Sequence, residues 1–126
     1  MIRTVQDFIE LRTRNDTRAT FDSAPESVWL DLIRDHPEFK EWVIHNKTVP
    51  LSVLRNLAAD PDPRVRFWVA TKRKCSPDLF EQLAADSDEM VRARVAWNPG
   101  TPADVLDKLR QDPSRLVQEA LARREK

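Results

Sequence analysis

A 26-residue internal repeat is the feature of this sequence that most limits what the chain can fold into. A weaker copy comes first, in which Phe39 and Val43 precede Val65 and Val69 by the same 26 residues. Repeats of this length usually form one supersecondary unit each, and neighbouring units bury a shared core by stacking. Four kinds of position recur at this spacing without a slip: Leu57/Leu83/Leu109, Asp60/Asp86/Asp112, Val65/Val91/Val117 and Ala70/Ala96/Ala122.

Each repeat indicates two short amphipathic helices separated by a turn. In the first helix, Val53, Leu54 and Leu57 form one stripe at helical spacing. In the second helix, valines recur as i, i+4 pairs such as Val65 and Val69. A proline lies near the start of each first helix, where its missing N–H costs nothing: Pro50, Pro77 and Pro102. Natural N-caps precede the helices: Ser76 and Thr101 for the first, and Asp62, Asp88 and Ser114 for the second.

The N-terminal segment does not follow the repeat. Thr4 followed by Asp7 is typical of a capping box, and Val5 and Phe8 begin an apolar face. We therefore predict a capping helix from Thr4 to about Leu11, followed by a loop over residues 12–20. The sequence thus predicts one domain over residues 1–126, made of a cap with its loop and then four repeats: 1–22, 23–47, 48–73, 74–99 and 100–126.

Composition excludes several classes of protein. Basic and acidic residues both number 21, so a net charge of zero gives no bulk attraction to nucleic acid or an acidic membrane. The single glycine, Gly100, argues against a β-rich fold with tight hairpins. The single cysteine, Cys75, allows neither an internal disulfide nor a multi-cysteine metal site. With no secretory signal and no long apolar window, we expect a cytoplasmic protein without membrane association.

Two stretches carry a resemblance to a known family. Residues 57–66 (LAADPDPRVR) and 95–102 (VAWNPGTP) resemble bacterial HEAT-like repeats, particularly the leucine-rich repeat variant type, and the likeness extends over roughly residues 20–124. It implies a right-handed superhelix of paired helices, one α and one often 3₁₀, that serves as a binding scaffold. The 26-residue period is slightly longer than that of the variant repeat, which leaves ordinary HEAT-like geometry open.

The predicted fold is therefore all-α: a short right-handed α-solenoid of about four two-helix repeats with an N-terminal capping helix. A described member of the resembled family carries a cysteine-bound iron–sulfur cluster ahead of its repeats. No cysteine precedes Cys75 here, so the cluster is not carried over and we expect no cofactor.

Catalytic groups are scarce. His36 and His45 have no companions at the spacing of a metal or nucleophile motif. Cys75 follows Lys72, Arg73 and Lys74, a basic setting that could lower its pKa. Since no base or resolving cysteine is apparent, we favour a cysteine in a turn over a reactive one. We predict no catalytic, cofactor-binding or metal-binding residues and no enzymatic activity.

The surface offers the candidate binding residues. Loops after the second helices form a basic edge, and two rows on those helices add arginine and tryptophan. Such a surface could hold phosphates and stack bases, dock an acidic protein, or simply be a solvated face. The predicted partner-binding residues are Trp42, Asn46, Lys47, Arg66, Trp68, Lys72, Arg73, Lys74, Arg92, Arg94, Trp97 and Asn98.

A third row on the second helices consists of Phe67, Met90, Trp97 and Leu116, opposite the valine stripe. Because helices of a repeat also touch neighbouring units, we favour packing between repeats over an exposed apolar anchor for this row.

These observations favour a protein-binding scaffold, with an inhibitor or immunity-type partner in a bacterium as the narrower hypothesis. The alternative is a HEAT-like module that binds nucleic acid through its basic edge. A HEAT-like DNA glycosylase is the least supported, because about four units offer little room for a flipped base. The sequence does not specify the oligomeric state.

Overall fold

The computed structural model describes residues 1–124, whose regular secondary structure is entirely helical, with no strand among them. The all-α prediction is thereby confirmed. The α-helices are α1 Val5–Thr13, α2 Arg18–Phe21, α3 Glu26–Asp35, α4 Lys40–His45, α5 Leu51–Leu57, α6 Pro63–Ala70, α7 Pro77–Ala84, α8 Glu89–Trp97, α9 Ala103–Leu109 and α10 Arg115–Arg124, and a 3₁₀ helix spans Pro37–Phe39.

The chain groups into two compact units, one from Met1 to Leu54 and one that begins at Arg55. The boundary falls within α5. The single domain over residues 1–126 stays a prediction, and the last two residues of its fourth repeat lie outside the described part of the chain.

In the first unit, α1 begins with the predicted capping box. The Thr4 hydroxyl accepts a hydrogen bond from the Asp7 amide (3.0 Å), and the Asp7 carboxylate accepts one from the Thr4 amide (3.1 Å). Phe8 on this helix is fully buried and meets Trp29 and Phe39 edge-on, with ring centroids 5.6 and 6.1 Å apart. The cap therefore supplies much of this unit's aromatic core.

The predicted loop over residues 12–20 is wrong in part. Helix α1 continues to Thr13, and residues 18–21 form α2. The Asp16 carboxylate accepts a hydrogen bond from the Arg18 amide (3.0 Å), and Ala19 is buried. Burial of this one small apolar residue, together with the local aspartate bond, makes a helical turn in a segment that is otherwise polar.

In the second unit, α6, α8 and α10 begin as predicted. Asp62 accepts a hydrogen bond from the Arg64 amide (2.9 Å), and Asp88 accepts one from the Met90 amide (2.8 Å). The Ser114 hydroxyl accepts a longer one, 3.4 Å, from the Val117 amide. All three second helices are α-helical, which answers the choice between α and 3₁₀ for these repeats.

The predicted caps of the first helices differ from the structure. Ser76 does stand at the N-cap of α7, but its hydroxyl bonds to the Asp78 carboxylate at 2.5 Å and caps no backbone amide. Thr101 is not the N-cap of α9, because its hydroxyl donates to the Val95 carbonyl (2.6 Å) and so closes the end of the preceding helix.

Packing in the second unit brings equivalent helices together. Helix α8 contacts α6 on one side and α10 on the other, while α7 contacts α9 and α8. Leu83, Val91 and Val95 between these helices are fully buried. Because helices of seven to ten residues are marginal alone, this shared core stabilises each of them.

An arginine–aspartate ladder ties successive repeats to one another. The Arg66 guanidinium donates to the Asp86 carboxylate (2.8 Å) and to the Asp60 carbonyl (2.7 Å). One repeat later, Arg92 donates to the Asp112 carboxylate (2.8 Å) and to the Asp86 carbonyl (2.9 Å). Each arginine therefore joins the turn of its own repeat to the turn of the next.

Gln118 occupies the corresponding position in the last repeat. Its amide nitrogen donates to the Asp112 carbonyl (2.8 Å) and the Leu109 carbonyl (3.1 Å), both within its own repeat. The ladder therefore ends at α10 in the described part of the chain.

Leu83→Ala tests the shared core. We expect the free energy of unfolding to fall by about 2 to 5 kcal/mol, because a fully buried leucine leaves a cavity among α7, α8 and their neighbours. Urea unfolding followed by circular dichroism measures the change. A loss below about 0.5 kcal/mol, the range of ordinary surface substitutions, would contradict the packing.

Arg92→Ala tests the ladder. We expect a loss of about 1 to 3 kcal/mol, because Asp112 is left without its partner and the carbonyls of the turn lose a donor. The matched control is Arg115→Ala on α10, whose ion pair with Glu119 is 92% exposed at the arginine and should contribute little.

Acid should weaken the same interaction. Burial raises the pKa of Asp112, but hydrogen bonds from Arg92 and the Ser114 amide hold it below its ordinary value. A carboxylate with a depressed folded pKa stabilises the protein above its unfolded pKa and loses that contribution as the pH falls. The difference between the native chain and Arg92→Ala should therefore shrink below about pH 4 in urea titrations.

Candidate binding groove

Three adjoining clefts run across α6, α8 and α10 in the second unit. The first has a volume of about 300 Å³ and is lined chiefly by Phe67, Trp68 and Met90. The second, about 390 Å³, runs from Met90 to Trp97 and Leu116. The third, about 540 Å³, begins at Trp97. Since neighbouring clefts share Met90 and then Trp97, we treat them as one surface, the α6–α8–α10 groove.

The first two clefts make up the apolar section of the groove. Met90 and Trp97 are seven residues apart on α8 and so lie on one face of the helix, opposite its buried valines. Their side chains are 51% and 43% exposed, and Leu116 on α10 is 37% exposed. The favoured prediction, that this row packs between repeats, is wrong for these three residues, because the valines already fill the space between the helices.

The third cleft is the arginine section of the groove. It lies at the last turns of α6, α8 and α10 and in the loops after them. Trp97 forms its wall towards the apolar section, and no carboxylate among residues 1–124 lines it. Its other lining residues are Thr71, Arg73, Arg94, Pro99, Arg123 and Arg124.

Side-chain amides and guanidiniums hold the loops of this section in place. The buried Asn98 side chain donates to the carbonyls of Ala70 (2.8 Å) and Lys72 (3.0 Å) in the preceding loop. Arg124, one repeat later, donates to the Asn98 carbonyl (2.6 Å). A Cβ at Gly100 would lie 2.7 Å from the Arg73 carbonyl oxygen, so only glycine fits this close approach.

None of the four arginines has a carboxylate partner within residues 1–124, and Arg124 alone of them bonds to backbone carbonyls. Within residues 1–124, no carboxylate lies in ion-pairing distance of Arg73, Arg94 or Arg123. The Nε atom of Arg94 is buried without a hydrogen-bond partner there, and burial lowers the pKa of this side chain. The section thus holds positive charge that the described chain does not neutralise.

The predicted binding residues fall into three groups in the second unit. The groove brings together Trp68, Trp97, Arg73 and Arg94. Arg66, Arg92 and Asn98 hold repeats and loops together through the bonds described above. Lys72 and Lys74 flank the arginine section and make interactions of their own.

The other three predicted residues belong to the first unit. The Arg12 guanidinium lies 3.7 Å from the centre of the Trp42 ring, a cation–π contact that covers one face of the indole. Asn46 is buried and donates to the carbonyls of Ala19 (2.9 Å) and Asp22 (3.0 Å). Lys47 is exposed, and its amide donates to the Thr20 carbonyl.

The predicted binding set omitted Met90, Leu116, Thr71, Arg123 and Arg124, which line the groove. The signal for Met90 and Leu116 was present, since they are 26 residues apart on a face opposite the core. Nothing in the sequence indicated a binding role for Thr71, because a single threonine after a helix is common in proteins of every function.

Cys75 is a structural residue. Its thiol donates to the Val69 carbonyl (3.5 Å), the same role that Thr101 plays 26 residues later. Burial raises its pKa to about 11 and outweighs the opposing charge of Lys72. The expectation that the basic setting lowers this pKa is therefore wrong.

In residues 1–124, no three histidine, cysteine or carboxylate side chains come close enough to hold a metal ion. His36 and His45 each face one glutamate, Glu38 and Glu41, at 3.6 Å. Across the same residues, no helix has the length and apolar character needed to cross a bilayer.

In comparisons with known proteins, no family model matches this sequence, and no curated protein or solved structure matches it either.

Thiol chemistry tests the account of Cys75. At pH 8 the folded protein should react with iodoacetamide far more slowly than the urea-unfolded chain, because a pKa of about 11 leaves almost no thiolate. Cys75→Thr should keep the native Tm within a few degrees, since Thr101 makes the equivalent bond. Equal alkylation of folded and unfolded protein would contradict this.

Proposed function

We propose that this chain is a non-catalytic binding module that holds another protein in the α6–α8–α10 groove. The observation that carries the proposal is the exposure of Met90, Trp97 and Leu116 around one cleft. Methionine and tryptophan are enriched at the centres of protein interfaces, where burial on binding contributes most of the affinity. Polar and charged residues border these side chains, as at the rim of an interface.

The repeated sequence supports the same proposal. Its resemblance to HEAT-like and leucine-rich repeat variant proteins favours a short right-handed α-solenoid of about four units, an architecture whose extended surfaces commonly bind partners. We include in the proposal a cytoplasmic role in a bacterium, with an inhibitor or immunity-type function as its narrowest form.

A pair of charge substitutions in the groove tests the proposal. Met90→Lys with Leu116→Lys should weaken partner binding at least about tenfold, because lysine ammonium groups resist burial in an apolar interface. The matched control is Gln82→Lys with Gln111→Lys, which adds the same charge at exposed positions outside the groove.

The readout is affinity capture from native lysate, with nuclease, followed by mass spectrometry. One protein retained by the native chain and the control pair, but lost from the groove pair, is the expected result. A partner that both pairs retain equally would place the interface elsewhere and overturn the proposal.

Nucleic-acid binding is the second candidate, because arginines and Trp97 lie together in one cleft. Arginine can contact phosphates while an indole stacks on a base. This function predicts capture of nucleic acid instead of protein, with affinity that falls steeply between about 50 and 200 mM salt.

A further inference from the structure

We propose that the arginine section binds an acidic side chain of the partner protein, at a position next to the partner's apolar residues that fill the apolar section. The inference rests on the proposed function, since it names the chemistry that the groove recognises. The ligand class is a short protein segment in which apolar residues are followed by aspartate or glutamate.

Unpaired arginines distinguish this section from the rest of the second unit. Other arginines on the same helices already meet carboxylates: Arg64 with Asp62, Arg66 with Asp86, Arg92 with Asp112 and Arg115 with Glu119. In contrast, Arg73, Arg94 and Arg123 line one cleft with no carboxylate from residues 1–124. Guanidinium groups recognise carboxylates by paired hydrogen bonds, so this cleft is complementary to an acidic side chain.

Arg94 provides the most specific evidence. Its Nε is buried without a partner in the described chain, an arrangement that costs stability and that packing alone does not call for. The equivalent position one repeat earlier is Trp68, so the repeat does not require arginine there.

The carbonyls at this end of the helices do not account for the arginines. The Ala70 and Lys72 carbonyls accept from Asn98, and the Asn98 carbonyl accepts from Arg124. With these acceptors already occupied, the guanidiniums of Arg73, Arg94 and Arg123 remain available for a ligand.

Charge distribution favours an acidic protein segment over nucleic acid. The unpaired arginines of the second unit all line the arginine section, and Arg123 alone of them also borders the apolar section, along which Asp88 and Glu119 lie. A nucleic-acid strand that continued along the groove would bring its phosphates near these carboxylates. A protein segment can instead place apolar residues there and a single acid beside Trp97.

A second copy of this chain is a poorer match. Three of the four acidic residues on α7 and α9 are already engaged: Asp78 with Arg55, Glu81 with Lys108 and Asp107 with Arg110, and only Asp104 makes no ion pair within residues 1–124. Using them would break existing ion pairs, whereas a separate partner brings a free carboxylate.

Selection from a phage library of random peptides, about a dozen residues long, tests the inference on the intact chain. We expect the selected peptides to share an apolar residue followed within a few positions by aspartate or glutamate. Replacing that acid with its amide should weaken binding about tenfold or more in fluorescence anisotropy, the usual scale for a lost charge-assisted pair.

Variants of the chain locate the effect. Arg94→Met, Arg73→Gln and Arg123→Gln should each weaken the acidic peptide about tenfold and leave its amide version almost unchanged. Arg115→Gln on α10 is the control and should bind both peptides as the native chain does. Arg94→Met should also keep or raise the Tm, a result that separates a binding role from a structural one.

The outcomes separate the inference from the proposed function. Peptides that lose binding in the Met90→Lys, Leu116→Lys pair, but show no preference for acids, would overturn the inference and leave the docking groove standing. If selection yields no peptide that depends on the groove, both proposals fail.

Two competing occupants have their own signatures. A labelled oligothymidine that binds the native chain, displaces the peptides and loses affinity in Arg94→Met would assign the section to nucleic acid. Light scattering that shows a dimer in the native chain, but a monomer in the Met90→Lys, Leu116→Lys pair, would assign the groove to a second copy. Either result overturns the acidic-segment inference.

Discussion

Short helices are the constraint on which the second unit depends. Helices of seven to ten residues gain too little from their own hydrogen bonds to persist alone in water. The buried valines and leucines provide most of their stabilisation, but hydrophobic burial is itself non-directional. The Arg66–Asp86 and Arg92–Asp112 pairs add directional bonds that hold the repeats in register, because each guanidinium also bonds to the turn of its own repeat.

That register also fixes the chemistry of the groove. Once equivalent helices are aligned, their C-terminal turns come together, and the loops after them are held by Asn98 and Arg124. Arginines that face the next turn find aspartates, whereas Arg73, Arg94 and Arg123 in the arginine section find no carboxylate within residues 1–124. Arginine therefore either joins neighbouring repeats or lines the groove, and its position on the helix decides which of the two it does.

Much of this architecture was predictable from periodicity. The helices and the Asp62 and Asp88 caps follow from local rules that act over a few residues, and the structure bears them out. The sequence did not show that Asn98 and Arg124 hold the loops together. Two different side chains make equivalent bonds to carbonyls about one repeat earlier, so no single residue type marks this position. Thr101 was misassigned for a related reason, since a hydroxyl before a proline fits both a cap and the end of the previous helix. The exposure of Met90 and Trp97 depends on how completely the valines fill the core, which spacing alone does not show.

The arginine–aspartate ladder runs in one direction along the chain, and this direction affects where a further repeat could be inserted. Each of the two rungs joins an arginine to the aspartate of the following repeat, so the repeat over residues 74–99 both receives one connection and donates the next. A duplicated copy of residues 87–112, placed directly after Asp112, would bring its own arginine and aspartate and leave every rung complete. A copy placed after Gln118 would follow a residue that bonds only within its own repeat. No arginine would then connect the preceding repeat to an aspartate of the copy. The fold therefore tolerates growth from within more readily than growth beyond its last rung.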